Sequence, residues 1–314
     1  MFITQKHPCV IALKTIPPIA TIVMTASMLS SCIYEDVIPC PPASITILTE
    51  WQLAPDADPE GMAYLFYPES DDSPWRFDLR GRDGGTVGLS YGTYRMIAFN
   101  DDTSGVRFSD LDNFHEASAY TRNASLLEPL GITGTFPGSV SEKMPVRLDP
   151  DIMWTATSEH VNATERATIV CTPKQITPRI HVRFTDIVNP ESAHAFSASL
   201  SGLAASIKIA DSRISGNVCQ PMRLTYAGQG CFQGAFYCFG ISGQSHSLEL
   251  YVILKDGRKM CYRYDVSDII MESADQMNIF ISVKGPELPK ISGKPDTGTF
   301  DVNVDGWNIV QIYL

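Results

Sequence analysis

Apolar residues recur in short runs from Ser44 onward, and turn residues separate the runs. Many positions within the runs alternate between apolar and polar side chains, and Val, Ile, Phe, Tyr and Thr are abundant. A spacing of about 8 to 15 residues between such runs is typical of β-sandwiches and β-barrels. The pattern therefore predicts an all-β protein, with the clearest strands at Ile45–Trp51, Met62–Tyr67, Trp75–Leu79, Tyr94–Phe99, Ile180–Phe184, Phe232–Phe239, Leu248–Leu254, Lys259–Val266, Met277–Val283 and Trp307–Leu314.

The connections between these runs carry turn signals and few helical ones. Glycine adopts positive φ without a steric penalty, so Gly81–Gly85 and Asp256–Gly257 are predicted to be hairpin turns. No long segment has a helical period, and short helical turns are expected near Phe108–Ala119 and Val266–Glu272.

A boundary between two domains is expected near residues 172–178. Thr172-Pro173 and Thr177-Pro178 bracket a short segment there, and a strongly alternating strand follows at once. We predict an N-terminal β-sandwich over residues 44–173 and a C-terminal β-sandwich over residues 174–314, each of a normal size for such a domain.

The N-terminus has the pattern of a bacterial lipoprotein signal. The mostly apolar stretch Ile16–Leu29 is too short for a bilayer-spanning helix, which needs about 20 apolar residues. It ends in Leu29-Ser30-Ser31-Cys32, which matches a lipobox. In such a signal the Cys thiol is linked to diacylglycerol, and cleavage leaves that Cys as the acylated first residue. The alternative is an ordinary secretory signal with a Cys just after the cleavage site.

This pattern gives three expectations for the start of the chain. Residues 1–31 are predicted to be the signal peptide, Cys32 the lipidation site, and residues 32–43 a lipidated tether stiffened by prolines. Two or three acyl chains are enough for stable membrane anchoring, whereas one is marginal.

Charge narrows the range of partners. The chain has a net charge of −11, and removal of Lys6 and Lys14 with the signal peptide leaves 22 basic and 35 acidic residues, a net −13. Nucleic-acid binders need a basic surface that displaces counterions from phosphates, so no nucleic-acid partner is predicted.

The 44% hydrophobic content is enough for a buried core and excludes a disordered chain.

A search for catalytic and metal-binding motifs identifies none. There is no His-Glu-x-x-His motif, no phosphate-binding loop and no Cys-x-x-Cys pair, and the six His are scattered without metal-ligand spacing. We therefore predict no catalytic residue, no metal and no cofactor. His181 lies on the polar face of its strand and is expected to be exposed.

Several features have two open interpretations. The acidic loops at Asn100–Thr103 and at Asp56, Asp58 and Glu60 fit Asx-capped turns or weak cation sites. The four Trp residues fit core packing better than a sugar platform. Six Cys remain after lipidation, and their disulfide state is undecided: Cys231 and Cys238 are close enough in sequence to bridge, or Cys238 is a buried small hydrophobe.

Several turns and strand edges together resemble those of a known family. They are Cys32-Ile33-Tyr34-Glu35-Asp36, Ala54-Pro55-Asp56-Ala57-Asp58-Pro59-Glu60-Gly61-Met62, Gly81-Arg82-Asp83-Gly84-Gly85-Thr86, Gly92-Thr93-Tyr94-Arg95 through Asn100-Asp101-Asp102-Thr103, and Val304-Asp305-Gly306-Trp307. They resemble an uncharacterised family of Bacteroidetes lipoproteins that is similar to fimbrial anchor and accessory proteins and to fimbrillin-like proteins. The resemblance spans nearly the whole mature chain.

The resemblance implies two tandem transthyretin-like Greek-key β-sandwich domains and no catalytic residues. Only Cys32 acquires a defined chemical role from it.

The acidic pair Glu35-Asp36 resembles the signal that sends Bacteroidetes lipoproteins to the outer face of the outer membrane, although such a pair also fits a solvated tether. Fimbrial subunits of this type are thought to lose an N-terminal strand to a protease that cuts after Arg or Lys. No Arg or Lys occurs between Lys14 and Arg76, which favours an anchor or terminator over a processed shaft subunit.

The leading functional prediction is a non-enzymatic, surface-exposed outer-membrane lipoprotein that acts as an anchor or accessory component of a fimbria-like filament. Its partners would be fimbrial subunits or other surface proteins, contacted by strand pairing and groove filling, and the membrane, contacted through lipid. The terminal strand is the predicted partner-binding segment, through Trp307, Ile309, Val310 and Ile312. The alternative is a stand-alone surface lipoprotein that binds a glycan or host ligand, which an exposed aromatic patch would favour.

Overall fold

The structure is a computed structural model, and it describes residues 43–70, 73–132, 144–291 and 307–313. The predicted signal peptide, the predicted lipidation site Cys32 and most of the predicted tether lie outside these residues. The described residues form one short α-helix, α1 (Ser267–Met271), and the following strands: β1 (Ala43–Thr49), β2 (Gly61–Pro68), β3 (Trp75–Arg80), β4 (Gly84–Leu89), β5 (Gly92–Asn100), β6 (Val106–Ser109), β7 (Ser118–Thr121), β8 (Trp154–Ala163), β9 (Arg166–Cys171), β10 (Lys174–Gln175), β11 (Arg179–Thr185), β12 (Ala193–Leu203), β13 (Ser206–Lys208), β14 (Ile214–Ser215), β15 (Val218–Arg223), β16 (Thr225–Gly228), β17 (Cys231–Tyr237), β18 (Ser247–Leu254), β19 (Lys259–Asp265), β20 (Asn278–Lys284) and β21 (Trp307–Ile312).

The first sandwich packs a three-stranded sheet, β4-β1-β9, against a five-stranded sheet, β10-β8-β5-β2-β3. β1 is central in the smaller sheet, antiparallel to β4 and parallel to β9. Alternate residues of β2, such as Tyr64 and Phe66, point into the space between the two sheets and are fully buried. The apolar residues that alternate along the sequence therefore lie on the strand face that points between the two sheets.

The second sandwich repeats this arrangement with different residues. Its sheets are β16-β17-β11-β20 and β15-β12-β18-β19-β21, and β11 is antiparallel to β17 and parallel to β20. The order β15-β12-β18-β19 corresponds to the order β3-β2-β5-β8 of the first sandwich. The predicted fold class, two tandem transthyretin-like Greek-key β-sandwiches, is confirmed.

A fifth sheet, β14-β13-β7-β6, joins the two halves of the sequence. Strands β6 and β7 follow β5, whereas β13 and β14 follow β12, and β7 pairs directly with β13. This sheet covers the outer face of β2 and β5, where Leu65, Ile97 and Phe99 pack with Ile207 and Phe239. We refer to these five residues and their buried neighbours as the shared core.

The outer face of the second five-stranded sheet is also covered. Leu126 and Leu127, which follow β7, pack against Cys219, Tyr251 and Cys261 on that face. As a result β18 is buried along almost its whole length, on both faces.

One predicted hairpin is wrong. The turn at Gly81–Gly85 leads from β3 in the five-stranded sheet to β4 in the three-stranded sheet, so its flanking strands do not pair with each other. The glycines are needed there for another reason: Gly84 has φ +85°, and a Cβ would lie 2.3 Å from the carbonyl oxygen of Ile47. The predicted Asp256–Gly257 hairpin between β18 and β19 is confirmed.

The two expected helical turns are present as short local structures. Helix α1 occupies most of Val266–Glu272. Between β6 and β7 the N–H of Ala117 donates to the carbonyl oxygen of Asn113 at 2.8 Å, which closes one helical turn.

The shared core gives a stability prediction with a matched control. Phe239→Ala should lower the free energy of unfolding by about 3–5 kcal/mol, because Phe239 is 1% exposed and its removal leaves a cavity. Phe280→Ala, at a 67% exposed position on β20, should cost less than about 1 kcal/mol. Urea denaturation of the two variants measures the difference, and equal losses would show that Phe239 does not lie in a core that joins the two halves.

Candidate functional site

The candidate partner-binding site is β21, the last strand of the chain. It runs parallel to β19 at the edge of the five-stranded sheet, in a register that extends from Lys259↔Trp307 to Tyr264↔Ile312. On its other side it pairs with no strand among the described residues. An unpaired strand edge of this kind is a template on which a strand of another protein can pair.

The side chains of β21 are unusually exposed for an apolar strand. Ile309 and Val310 are 41% and 38% exposed, and Tyr313 directly after the strand is exposed as well. Two contacts hold the ends of the strand: the ring of Trp307 lies 5.7 Å from that of Tyr251, and Ile312 packs against the core of the second sandwich. The four predicted partner-binding residues thus lie together on one edge strand, two of them half-buried and two exposed.

The first sandwich has a much smaller edge at the corresponding place. There β10 follows β8 in the sheet order, but it contributes only Lys174 and Gln175 and runs antiparallel. Proteins commonly blunt sheet edges with short or charged strands because a long apolar edge invites pairing with other chains. The edge formed by β21 lacks both of these protections.

A buried polar cluster lies beneath β21. Arg263 on β19 donates from Nε to Oε1 of Glu249 on β18 at 2.9 Å, and the hydroxyl of Tyr251 donates to Oε2 of Glu249 at 2.6 Å. Burial, followed by the negative charge of Glu249, raises the pKa of Tyr251 well above its usual value, so this hydroxyl remains a donor. The cluster fixes the ring against which Trp307 packs.

Sequence reasoning missed this cluster, although a signal was present. Glu249 interrupts an otherwise apolar strand, and the Asp256–Gly257 turn places it directly opposite Arg263 in the hairpin register. Opposite charges at equal distances from a predicted hairpin turn indicate a cross-strand pair.

A second concave surface lies at one end of the first sandwich. It has a volume of about 570 Å³ and is lined by residues that include Trp75, Tyr91, Tyr94, Ser90 and Thr93. Trp75 and Tyr91 are 47% and 45% exposed. Exposed aromatic side chains with polar neighbours are typical of binding surfaces, so this depression is a second candidate site.

The expectation that the tryptophans pack in the core is therefore correct for only part of the set. Trp51 and Trp154 are buried and meet edge to face at 6.1 Å in the first sandwich. Trp75 contradicts it, because its strand lies at the sheet edge and leaves the ring exposed, and Trp307 is half-buried.

The acidic loop at Asn100–Thr103 is held as a turn by its own side chains. Asn100 donates from Nδ2 to Oδ1 of Asp102 at 2.8 Å, and the backbone N–H of Glu60 donates to Oδ2 of the same carboxylate at 2.9 Å. Within the part of the chain that the structure describes, no group of three or more His, Cys, Asp or Glu residues is arranged to hold a metal ion.

The motif search above, which found no Gly-x-Ser-x-Gly sequence, was wrong for one serine, which matches this nucleophile motif by spacing alone. Gly88-Leu89-Ser90-Tyr91-Gly92 has the Gly-x-Ser-x-Gly spacing of hydrolase nucleophiles. Ser90 lies in the turn between strands β4 and β5, whereas a nucleophile elbow joins a strand to a helix. The carbonyl oxygen of Ser90 accepts a hydrogen bond from the hydroxyl of Tyr94 at 2.9 Å, which makes this a structural turn.

The cysteines that the structure describes are all buried, and four of them form no disulfide: Cys171, Cys231, Cys238 and Cys261. Burial raises the pKa of Cys171 and of Cys238 to about 12, which disfavours the reactive thiolate. Cys231 and Cys238 do not bridge, and Cys238 is the buried small hydrophobe that one of the two interpretations proposed. Cys40 lies outside the described residues.

His181 differs from the expectation of an exposed side chain. Its ring is half-buried and stacks on Phe280 of the neighbouring strand, with centroids 4.5 Å apart and planes inclined by 7°. Burial, followed by the charge of Arg179, lowers its pKa.

None of the helices among the described residues is long and apolar enough to cross a membrane.

Comparisons with known proteins give a family and several similar folds. The model of the family described as "Domain of unknown function (DUF5119)" matches residues 31–224. A protein of Bacteroides ovatus named "Putative fimbrium anchoring subunit Fim4B" is 29% identical over 109 residues. That match covers 34% of this chain and 32% of the relative, so the chain aligns with about a third of it.

Two solved structures have a similar fold at low identity. A crystal structure described as a "putative adhesin" from Bacteroides ovatus has a TM-score of 0.59 and 19% identity, and the match covers 84% of this chain and 100% of that one. A second, from Bacteroides thetaiotaomicron and described as "putative polysaccharide binding proteins (DUF1812)", has a TM-score of 0.51 and 7% identity, over 76% and 90% of the two chains. At these identities the likeness concerns the fold.

The exposure of β21 predicts that its side chains add little to folding stability. Ile309→Ala should lower the free energy of unfolding by less than about 1 kcal/mol, because the side chain is already 41% exposed. The matched change Ile281→Ala, at a 1% exposed position in the second sandwich, should cost about 2–5 kcal/mol. Denaturant titration of both variants measures this, and a loss for Ile309→Ala as large as that for Ile281→Ala would mean that β21 is part of the core.

Proposed function

Since this chain belongs to the DUF5119 family, we propose that it is a non-enzymatic cell-surface lipoprotein that anchors or assembles a fimbria-like filament. The observation that supports this most directly is the apolar edge strand β21, whose outward backbone groups pair with no strand among the described residues. The partial match to a relative named as a fimbrium anchoring subunit supports the same role.

The proposed contact is strand addition. A strand of a filament subunit pairs with the open side of β21, and its side chains cover Ile309, Val310 and Tyr313. Main-chain hydrogen bonds supply a regular interface, and the apolar side chains add the burial that an isolated strand edge lacks. The buried cluster of Glu249, Arg263 and Tyr251 holds the strand next to β21 in place.

The proposed domain organisation follows from the sequence. Residues 1–31 are the signal peptide, residues 32–43 the tether, residues 44–173 the N-terminal sandwich and residues 174–314 the C-terminal sandwich. In this proposal Cys32 holds the protein at the outer membrane through its lipid. The stretch without Arg or Lys between Lys14 and Arg76 protects the first strands from a trypsin-like protease, as a permanently anchored protein requires.

The anchor is tested by changing one cysteine and comparing it with another. Cys32→Ala should move the protein from washed outer membranes to the soluble fraction, because without its acyl chains the chain loses most of its membrane affinity. Cys40→Ala, eight positions later in the same segment, should stay in the membrane fraction. Fractionation followed by immunoblotting measures both, and retention of Cys32→Ala in washed membranes would contradict lipidation at this residue.

The filament role is tested by gentle extraction of the tagged protein from its native outer membrane, with unboiled and boiled samples compared by electrophoresis. We expect a heat-labile, high-mass ladder that contains a second subunit. The double variant Ile309→Lys, Val310→Lys should lose the ladder while remaining folded, because charges on a sheet edge oppose strand addition. Leu53→Lys, at a 62% exposed apolar position outside the edge, is the control that should keep it.

Two results would contradict the proposal. A ladder that survives the double lysine variant would place the partner contact elsewhere than β21. A single band near the monomer mass in the unmodified protein would instead favour a stand-alone binding lipoprotein. The depression lined by Trp75 and Tyr91 is the observation that favours this second function, and a glycan array would then identify its ligand.

A further inference from the structure

The outward face of the sheet β16-β17-β11-β20 brings several basic and aromatic side chains together. Ile180, Val182 and Phe184 of β11 point into the core of the second sandwich, so Arg179, His181 and Arg183 point outward. The register places His181 between Ala235 of β17 and Phe280 of β20.

These residues line a shallow depression of about 570 Å³. Its lining includes Arg179, His181 and Arg183 from β11, Phe280 and Ser282 from β20, and Thr225 and Gln233 from β16 and β17. Gly234 and Ala235 also line it and carry no long side chain, which leaves the space open. The volume lies within the range of small-ligand sites, about 300–1,000 Å³.

In the described part of the chain, the two arginines contact groups other than carboxylates. The guanidinium of Arg179 lies 5.6 Å from the centre of the Tyr237 ring, and Nε of Arg183 donates to Sγ of Cys231 at 3.1 Å. Neither forms an ion pair with any carboxylate in the described part of the chain, whereas Arg76, Arg122, Arg213, Arg258 and Arg263 each have one. A local positive charge therefore persists in a chain whose net charge is −11.

The aromatic part of the depression is flat and exposed. Phe280 is 67% exposed, although its ring already stacks on His181 with planes inclined by only 7°. The phenyl ring lines the same depression as Arg179 and Arg183. Large exposed aromatic side chains with polar neighbours are typical of binding surfaces.

We propose that this face binds an acidic saccharide, a sugar that carries a carboxylate group. The carboxylate pairs with the guanidinium group of Arg183, whose planar fork of donors fits two carboxylate oxygens, and Arg179 adds positive charge at the other end of the depression. The apolar face of the sugar ring lies against Phe280. Hydroxyl groups of the sugar reach Gln233, Thr225 and Ser282.

The geometry favours a saccharide over an acidic peptide. Peptides that join β-proteins as an added strand need open backbone groups at a sheet edge. This depression lies on the face of the sheet, and β11 beneath it is paired on both sides, with β17 and with β20. The recognising groups are therefore side chains, and they combine a flat apolar surface with charge. The proposal is independent of the role of β21 in filament assembly.

The test uses pairs of ligands that differ only in charge. Isothermal titration of the full chain with trigalacturonic acid and with its methyl ester, and with 3′-sialyllactose and with its methyl ester, compares each acidic sugar with a neutral counterpart. We expect at least one acid to bind and its neutral counterpart to bind at least ten-fold more weakly, because charge-assisted hydrogen bonds are about twice as strong as neutral ones.

Variants locate the site. Arg183→Gln and Phe280→Ala should each weaken binding of the acid by about ten-fold or more, while both keep the unfolding midpoint near that of the unmodified protein. Arg166→Gln, at an exposed position on β9, is the matched control that should leave the affinity unchanged.

Three outcomes would overturn the proposal. One is that neither acid binds, and another is that each acid and its neutral counterpart bind equally well. The third is binding that Arg183→Gln leaves intact and Trp75→Ala removes, since this would move the sugar to the depression of the first sandwich. Binding of a poly-glutamate peptide but of neither sugar would belong to the first outcome and identify an acidic peptide as the ligand.

Discussion

Strands β2 and β5 are buried on both faces, and the rest of the structure depends on how the second face is covered. One face of β2 and β5 packs inside the first sandwich through residues such as Tyr64, and the other packs through Leu65 and Phe99 into the shared core. The cover for that second face comes from both halves of the sequence, because β6 and β7 precede β8 whereas β13 follows β12. Hydrophobic burial therefore ties the two sandwiches into one packing unit.

Hydrophobic burial also distinguishes the covered sheet surfaces of the second sandwich from its open ones. The outer face of β18 is covered by Leu126 and Leu127, so Glu249 becomes a buried charge and requires its pairing with Arg263. Among the described residues, no segment covers the outer face of β11, which carries basic and aromatic residues, and no strand pairs with the open side of the apolar strand β21. The two proposed functions use these uncovered surfaces, one for a strand and one for a saccharide.

The two sandwiches show how equivalent positions acquire different properties. The strand next to β8 is the two-residue β10, which runs antiparallel, and the strand next to β19 is the six-residue β21, which runs parallel. The first edge offers few backbone groups to a partner. The second offers a strand with exposed Ile309 and Val310, and this difference in length and apolar surface makes it the better site for strand addition.

The all-β class and the faces of the clear strands could be predicted from the sequence, because side-chain alternation is a local property, and the segment at residues 172–178 indicated two domains. The alternation of Ile180 with His181 already separated the core from the outward face. Apart from the β18–β19 hairpin, the pairing of the strands could not be predicted from the sequence, since pairing depends on contacts between distant residues: the Gly81–Gly85 turn changes sheets, and Trp75 lies on an edge while Trp51 is buried. The shared core and the burial of Glu249 follow from such long-range contacts, whereas the pairing of Glu249 with Arg263 had a signal in the predicted hairpin.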